Sequence, residues 1–235
     1  MIGEAFSIYR DNAAALLGSA AVVFLVVGLI SGLLQVPGSP ALALLAAIVR
    51  FAGYALFTGF VVRLVQDVRD GRRDQTVGDL FSAAAPAILP LIGFGLLFGL
   101  GVSIGLVLLI VPGLILLTIW SVGAPAIVVE RAGVFEAFGR SRELVRGNGW
   151  SVFGTLVLVF LIVLAIQLVL TVLGAVIGDA GLVIAAIVST AITAPVFALA
   201  TSVLFFDLGG GAGEAATSAQ PGGTSAPPPP ATPTA

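Results

Sequence analysis

Long apolar runs alternate along this chain with short segments in which apolar residues recur every three or four positions. The runs fall at about 13–35, 41–65, 86–110, 113–129, 150–177 and 182–206. Most are near the roughly 20 residues that a helix needs to cross a hydrocarbon core. The short segments read differently. In 134–145, Val134, Ala137, Phe138, Ser141, Leu144 and Val145 form one stripe, and Glu136, Arg140, Glu143 and Arg146 lie opposite. That is the pattern of an amphipathic helix lying in a membrane interface. Gly147-Asn148-Gly149 is expected to end it, and Trp150 opens the next run at a headgroup boundary. Residues 2–11 put Ile2, Ala5, Phe6 and Tyr9 on one face. Residues 77–85 do the same with Val77, Leu80, Phe81, Ala84 and Ala85, after a Thr76/Asp79 pair spaced as a capping box.

These patterns predict an all-α polytopic membrane protein with six transmembrane helices. Residues 1–208 form the membrane domain, and 209–235 form a disordered Gly/Pro-rich tail without core-forming residues. The outer turns are expected at Pro37-Gly38-Ser39-Pro40, Val111-Pro112-Gly113 and Gly178-Asp179-Ala180-Gly181. Pro125 and Pro195 are expected to kink spans four and six. Gly95-xxx-Gly99 and Gly101-xxx-Gly105 in span three allow close helix approach.

An internal repeat organises the elements. IGEAFS at 2–7, VGDLFS at 77–82 and VFEAFG at 134–139 align without gaps, and each precedes two spans. Ala124-Pro125 in span four has a counterpart in Ala194-Pro195 of span six. The chain reads as three tandem units of interfacial helix plus helical hairpin, with Phe6, Phe81 and Phe138 in equivalent places on the membrane side.

Composition narrows the chemistry. The chain is 59% hydrophobic and 9% charged, with no Cys and no His. A soluble domain carries about 25% charged residues. Without thiols or imidazoles there is no disulfide framework and no usual metal ligand or general base. No phosphate loop, dinucleotide fingerprint or nucleophile motif is present. No enzyme activity, cofactor, metal or nucleic-acid partner is therefore expected.

Residues 112–150 resemble a group of bacterial six-span proteins. The group includes the membrane domain found beside glycerophosphodiester phosphodiesterases and the uncharacterised "YciC-like" inner-membrane proteins. The likeness rests on Pro112-Gly113, Trp120-Ser121, Pro125, Val128-Val129-Glu130, Glu136-Ala137-Phe138, Arg140-Ser141, Leu144 and Arg146-Gly147-Asn148-Gly149-Trp150, with the GEAFSIYRDN entry helix. It implies a six-helix integral membrane fold without a settled role. No hydrolase activity carries over, because the phosphodiesterase domain uses His and acidic metal ligands.

Charge supplies orientation and candidate sites. All ten basic residues are Arg. Nine of them (10, 63, 69, 72, 73, 131, 140, 142 and 146) fall on one side of a six-span arrangement, which marks that side and both termini as cytoplasmic. The expected location is the bacterial cytoplasmic membrane. The tenth, Arg50, lies inside span two, where charges usually mark a site. Its expected partners are Gln167 in span five and Ser189, Thr190 and Thr193 in span six, with Ser121 of span four at the same level. These residues are the candidate ligand site. Arg72, Arg73, Arg131, Arg140, Arg142 and Arg146 are candidates for anionic lipid headgroups. The lipid bilayer, with anionic lipids in it, is the partner expected, and the sequence does not indicate a protein partner. Two functions fit: a non-enzymatic scaffold, lipid-interacting or envelope-maintenance protein, or a permease or channel with Arg50 near its pathway.

Overall fold

The structure is a computed structural model that describes residues 2–35, 39–71 and 76–211. The turn expected at Pro37-Gly38, the candidates Arg72 and Arg73, and residues 212–235 of the expected tail lie outside the described residues. Among the described residues ten α-helices follow one another: α1 (Ile2–Asp11), α2 (Ala13–Leu33), α3 (Pro40–Arg69), α4 (Val77–Ala84), α5 (Ile88–Leu108), α6 (Ile110–Trp120), α7 (Gly123–Glu130), α8 (Val134–Val145), α9 (Gly149–Ile177) and α10 (Asp179–Asp207). A single 3₁₀ turn, Ala85–Ala87, joins α4 to α5. Among the described residues, six helical stretches are long and apolar enough to cross a bilayer, the fourth made of α6 and α7 together. The fold is an all-α polytopic membrane protein.

The three short amphipathic segments are helices, as their stripes predict. The capping box at α4 forms: the Asp79 carboxylate accepts from the Thr76 amide at 3.0 Å, and the Thr76 hydroxyl accepts from the Asp79 amide at 3.3 Å. Each short helix docks on the span that closes the preceding unit. α4 packs on α3, and α8 packs on α7, α6 and α5. α1 packs on α10, the last span of the chain, so the three units close into a ring. α3, α7 and α10 pack on one another at the centre, and α2 lies against α3 and α10. In lipid, apolar side chains gain little from burial as such, so helix association rests on close packing and on polar bonds. Phe57, Phe60, Val61, Ile127, Val128 and Leu204 supply the packing and are almost fully buried.

The three repeat phenylalanines are not alike. Phe81 stacks on Phe60 with ring centroids 4.5 Å apart. Phe138 packs on Phe94 at 4.5 Å and on Trp120 at 4.8 Å. Such pairs contribute about 0.5–1.5 kcal/mol each beyond their area. Phe6 stays 67% exposed and lines an apolar groove with α9 and α10.

Span four differs from the expectation. Its turn is not at Val111-Pro112-Gly113 but at Leu109, which is extended at φ −159°. Pro112 sits in the first turn of α6, where its missing N–H leaves no bond unmade. The span then breaks at Ser121 and Val122. Pro125 accounts for the break, since it cannot donate to the carbonyl of residue 121 and crowds it. Pro195, by contrast, lies within an unbroken α10.

Glycine allows the α5–α6 hairpin to close. A Cβ at Gly105 would lie 2.9 Å from Gly113 Cα, and one at Gly113 would lie 2.6 Å from Leu106 N. Gly101 makes room for the Trp120 ring, whereas Gly99 faces open space.

Ion pairs fasten the Arg-rich end. Arg69, at the end of α3, bridges Glu4 of α1 at 2.8 Å and Asp207 of α10 at 2.6 Å, with its guanidinium over the Phe206 ring. Arg63 donates to Val128 O at 2.6 Å, tying span two to span four. The Glu130 carboxylate accepts two bonds from Arg140, at 2.7 and 2.9 Å, and one from the Gly211 amide at 3.0 Å. The chain therefore packs through Gly211, three residues beyond the boundary expected at 208.

Candidate functional site

A cleft of about 570 Å³ opens within the bundle between α3, α5, α6–α7, α9 and α10. Eight aromatic rings are part of its wall: Phe51, Tyr54 and Phe57 from α3, Phe94 and Phe98 from α5, Trp120, Phe160 and Phe197. The reason lies in the elements. α3 and α5 each present rings at helical spacing, and the broken span four turns Trp120 and Ser121 toward them.

Polar groups enter this wall in two states. Thr193 donates to Ser189 O at 2.8 Å, Thr190 to Ala186 O at 2.9 Å and Ser121 to Thr118 O at 2.9 Å. Bonding back along the helix satisfies their protons and leaves acceptor lone pairs. Tyr54, Thr58 and Trp120 also line the cleft, and their side chains have no hydrogen-bond partner among the described residues. These donors are free to bond acceptor oxygens on a bound molecule.

The sequence-predicted residues divide. Gln167, Thr190 and Thr193 line the cleft. Ser189 donates its hydroxyl to the Gln167 carbonyl oxygen, so that acceptor is taken within the α9–α10 hairpin. Residues 167 and 189 are equidistant from the turn at Gly178, which brings them face to face. Arg50 does not join them. It is exposed on α3 and makes no hydrogen bond or ion pair among the described residues. It lies next to the cleft residue Phe51 and one turn from Tyr54, close enough to interact electrostatically with that ring. Arg50 is therefore at the rim, not in the interior, because the buried face of α3 is taken by Gly53, Phe57 and Phe60, while Phe51 and Tyr54 beside it are partly exposed.

The second candidate set divides as well. Arg140 is committed to Glu130, whose hydrogen bonds hold the guanidinium above its ordinary pKa, and it reaches Glu143 at 3.5 Å. Arg131 ends α7 in the left-handed region at φ 54° and is exposed. Arg142 and Arg146 make no side-chain hydrogen bond or ion pair among the described residues.

Sequence reasoning missed Tyr54, Thr58 and Trp120 as cleft residues, and nothing in the pattern separates them from ordinary span residues. It also missed what Ser141 does. Ser141 is fully buried, donates to Ile119 O at 2.8 Å and accepts from Val122 N at 3.3 Å. It splints the broken span from outside. A hydroxyl inside the apolar stripe of α8 was the available signal.

Over 119 residues, 51% of its length, the chain is 34% identical to a UPF0259 membrane protein of Pectobacterium carotovorum subsp. carotovorum. The aligned stretch covers 47% of that protein, so the chain spans about half the length of the curated relative it matches. No protein-family model matches the chain. No solved structure matches it. The comparison supports an uncharacterised group of bacterial membrane proteins; the likeness to the phosphodiesterase-associated domain rests on the residues of the sequence alone.

Proposed function

We propose that this chain is a non-enzymatic, lipid-interacting protein of the bacterial cytoplasmic membrane. On this reading the Arg-rich end faces the cytoplasm, and the aromatic cleft is the binding site. The observation that carries it is the cleft itself, with rings for an apolar body and three open donors at Tyr54, Thr58 and Trp120. An amphipathic bilayer molecule with acceptor oxygens fits that chemistry, and its anionic end would meet Arg50 at the rim. Among the described residues the cleft is lined by no carboxylate, thiol or imidazole.

The experiment is mass spectrometry of lipids retained by purified protein. The triple variant Arg50→Leu, Tyr54→Phe, Thr58→Val should lose the retained amphipathic species and keep its thermal stability. Arg50 is exposed and the other two changes delete open donors, so the expected loss of stability is within about 0.5 kcal/mol. An unchanged set of retained lipids would overturn the assignment.

A permease is the second reading. The interrupted span four favours it, because broken helices beside a central site are a recurrent design in transporters. Solute flux through reconstituted vesicles separates the two.

A further inference from the structure

A second site lies outside the cleft. A groove runs along α6 to the corner where α8 meets α9. Its apolar arm, about 480 Å³, is walled by Leu114, Ile115, Trp150 and Phe153. Its second arm, about 470 Å³, is walled by Val145 together with the charged residues Arg142, Glu143 and Arg146. The two arms share Ile119, Gly147 and Gly149.

We propose that this groove binds one anionic phospholipid from the leaflet on the Arg-rich side. The acyl chain lies along α6, and the headgroup phosphate rests on Arg142 and Arg146. This site is independent of the cleft proposed above.

Charge complementarity chooses the occupant. Arg142, in the last turn of α8, and Arg146, the residue that caps its C-terminus, both line this arm of the groove. Neither has an ion-pair partner among the described residues, whereas Arg140 on the same helix is held by Glu130. The single acid on the groove, Glu143, reaches Arg140 at 3.5 Å and leaves the Arg pair in excess. The corner itself is open. Gly147 turns the chain at φ +87°, and no heavy atom lies within 4 Å of a Cβ built at Gly147 or Gly149. That leaves room for a headgroup between the Arg pair and the apolar arm. Trp150 marks the mouth. It is 87% exposed and set edge-on to Phe153, its ring centroid 6.2 Å away. An indole so placed sits where headgroups meet chains. From residue 111 to residue 119, α6 provides about 12 Å of apolar wall.

The test uses the full chain in detergent, titrated with phosphatidylglycerol or phosphatidylcholine and read by native mass spectrometry. Phosphatidylglycerol should bind as one molecule per chain in preference to phosphatidylcholine. Each Arg at a headgroup contributes roughly five-fold, so Arg142→Gln with Arg146→Gln should weaken binding by about thirty-fold. Arg131→Gln, outside the groove, should leave it unchanged. A second measurement needs no change to the Arg pair: phosphatidylglycerol with brominated chains should quench Trp150. The chain has two Trp, and Trp120 lines the cleft. Trp150→Phe must therefore remove the preferential quenching, and residual quenching through Trp120 would report the cleft instead. Equal binding of phosphatidylcholine would overturn the proposal, as would an unaffected double variant or competition by inorganic phosphate, which would make the site one for a free anion.

Discussion

Ser141 shows how much one side chain can carry in this protein. Its hydroxyl closes the two backbone groups at the break in span four, Ile119 O and Val122 N. Ser141→Ala leaves the Val122 amide, in a fully buried residue, without an acceptor. That should cost about 1–3 kcal/mol, read as a lower midpoint in thermal unfolding. An unchanged midpoint would mean that the break holds itself. Arg50 teaches the opposite lesson. A charge inside an apolar run is plain in the sequence, but the direction it faces is not. Each residue turns a helix by about 100°, so facing depends on which neighbours take the other side. Phe57 and Phe60 take the packed side of α3, and Arg50 is left at the rim.

At the scale of elements, helix existence and most helix ends were legible. The long runs became helices long and apolar enough to span, and the striped segments became short helices, because length and periodicity are local properties. The α5–α6 hairpin was less legible. Pro112-Gly113 has the composition of a turn, yet Pro fits the first turn of a helix equally well, and Gly113 is required for contact rather than for bending. Gly113→Ala should therefore force α5 and α6 apart and cost about 1–3 kcal/mol, as overpacking does. Gly99→Ala, facing open space, should be neutral or slightly stabilising. Unfolding of both variants in SDS titrations checks the contrast, and equal effects would count against the close approach. Gln167 and Ser189 pair for a reason of the same kind. The sequence put them at one depth, and the hairpin register bonded them to each other.

For the whole molecule, the ring of three units joins the two ends of the fold. Arg69 holds Glu4 near the first residue described and Asp207 near the last, so both ends lie on one side of the bundle. We propose that the Arg-rich side faces the cytoplasm, from the placement of Arg in the short connections. Reporter fusions at Ser39, Arg72, Gly113, Gly147 and Asp179 should alternate out, in, out, in, out. A cytoplasmic signal at Ser39 or Asp179 would reverse the orientation. The repeat was readable as three matching segments. The ring closure that docks α1 on α10 was not, because it joins the start of the chain to its last span. The same closure sets Phe6 apart from Phe81 and Phe138, since α1 docks on α10 and leaves Phe6 over an open groove.

The sequence by itself determined the class of molecule, the number of apolar runs, the three amphipathic helices and the concentration of Arg on one side of the spans. These follow from hydropathy and short-range spacing, and the bilayer enforces them by demanding that every backbone bond within it close inside a helix. Tertiary structure alone decided what bridges the break in span four and that Pro195 leaves span six unbroken. It also decided that Tyr54, Thr58 and Trp120 share a cleft, and that Arg140 is paired while Arg142 and Arg146 are not. Those outcomes depend on helix rotation and on contacts between residues far apart in the chain. In lipid, packing and polar bonds set both, and hydropathy is silent about either.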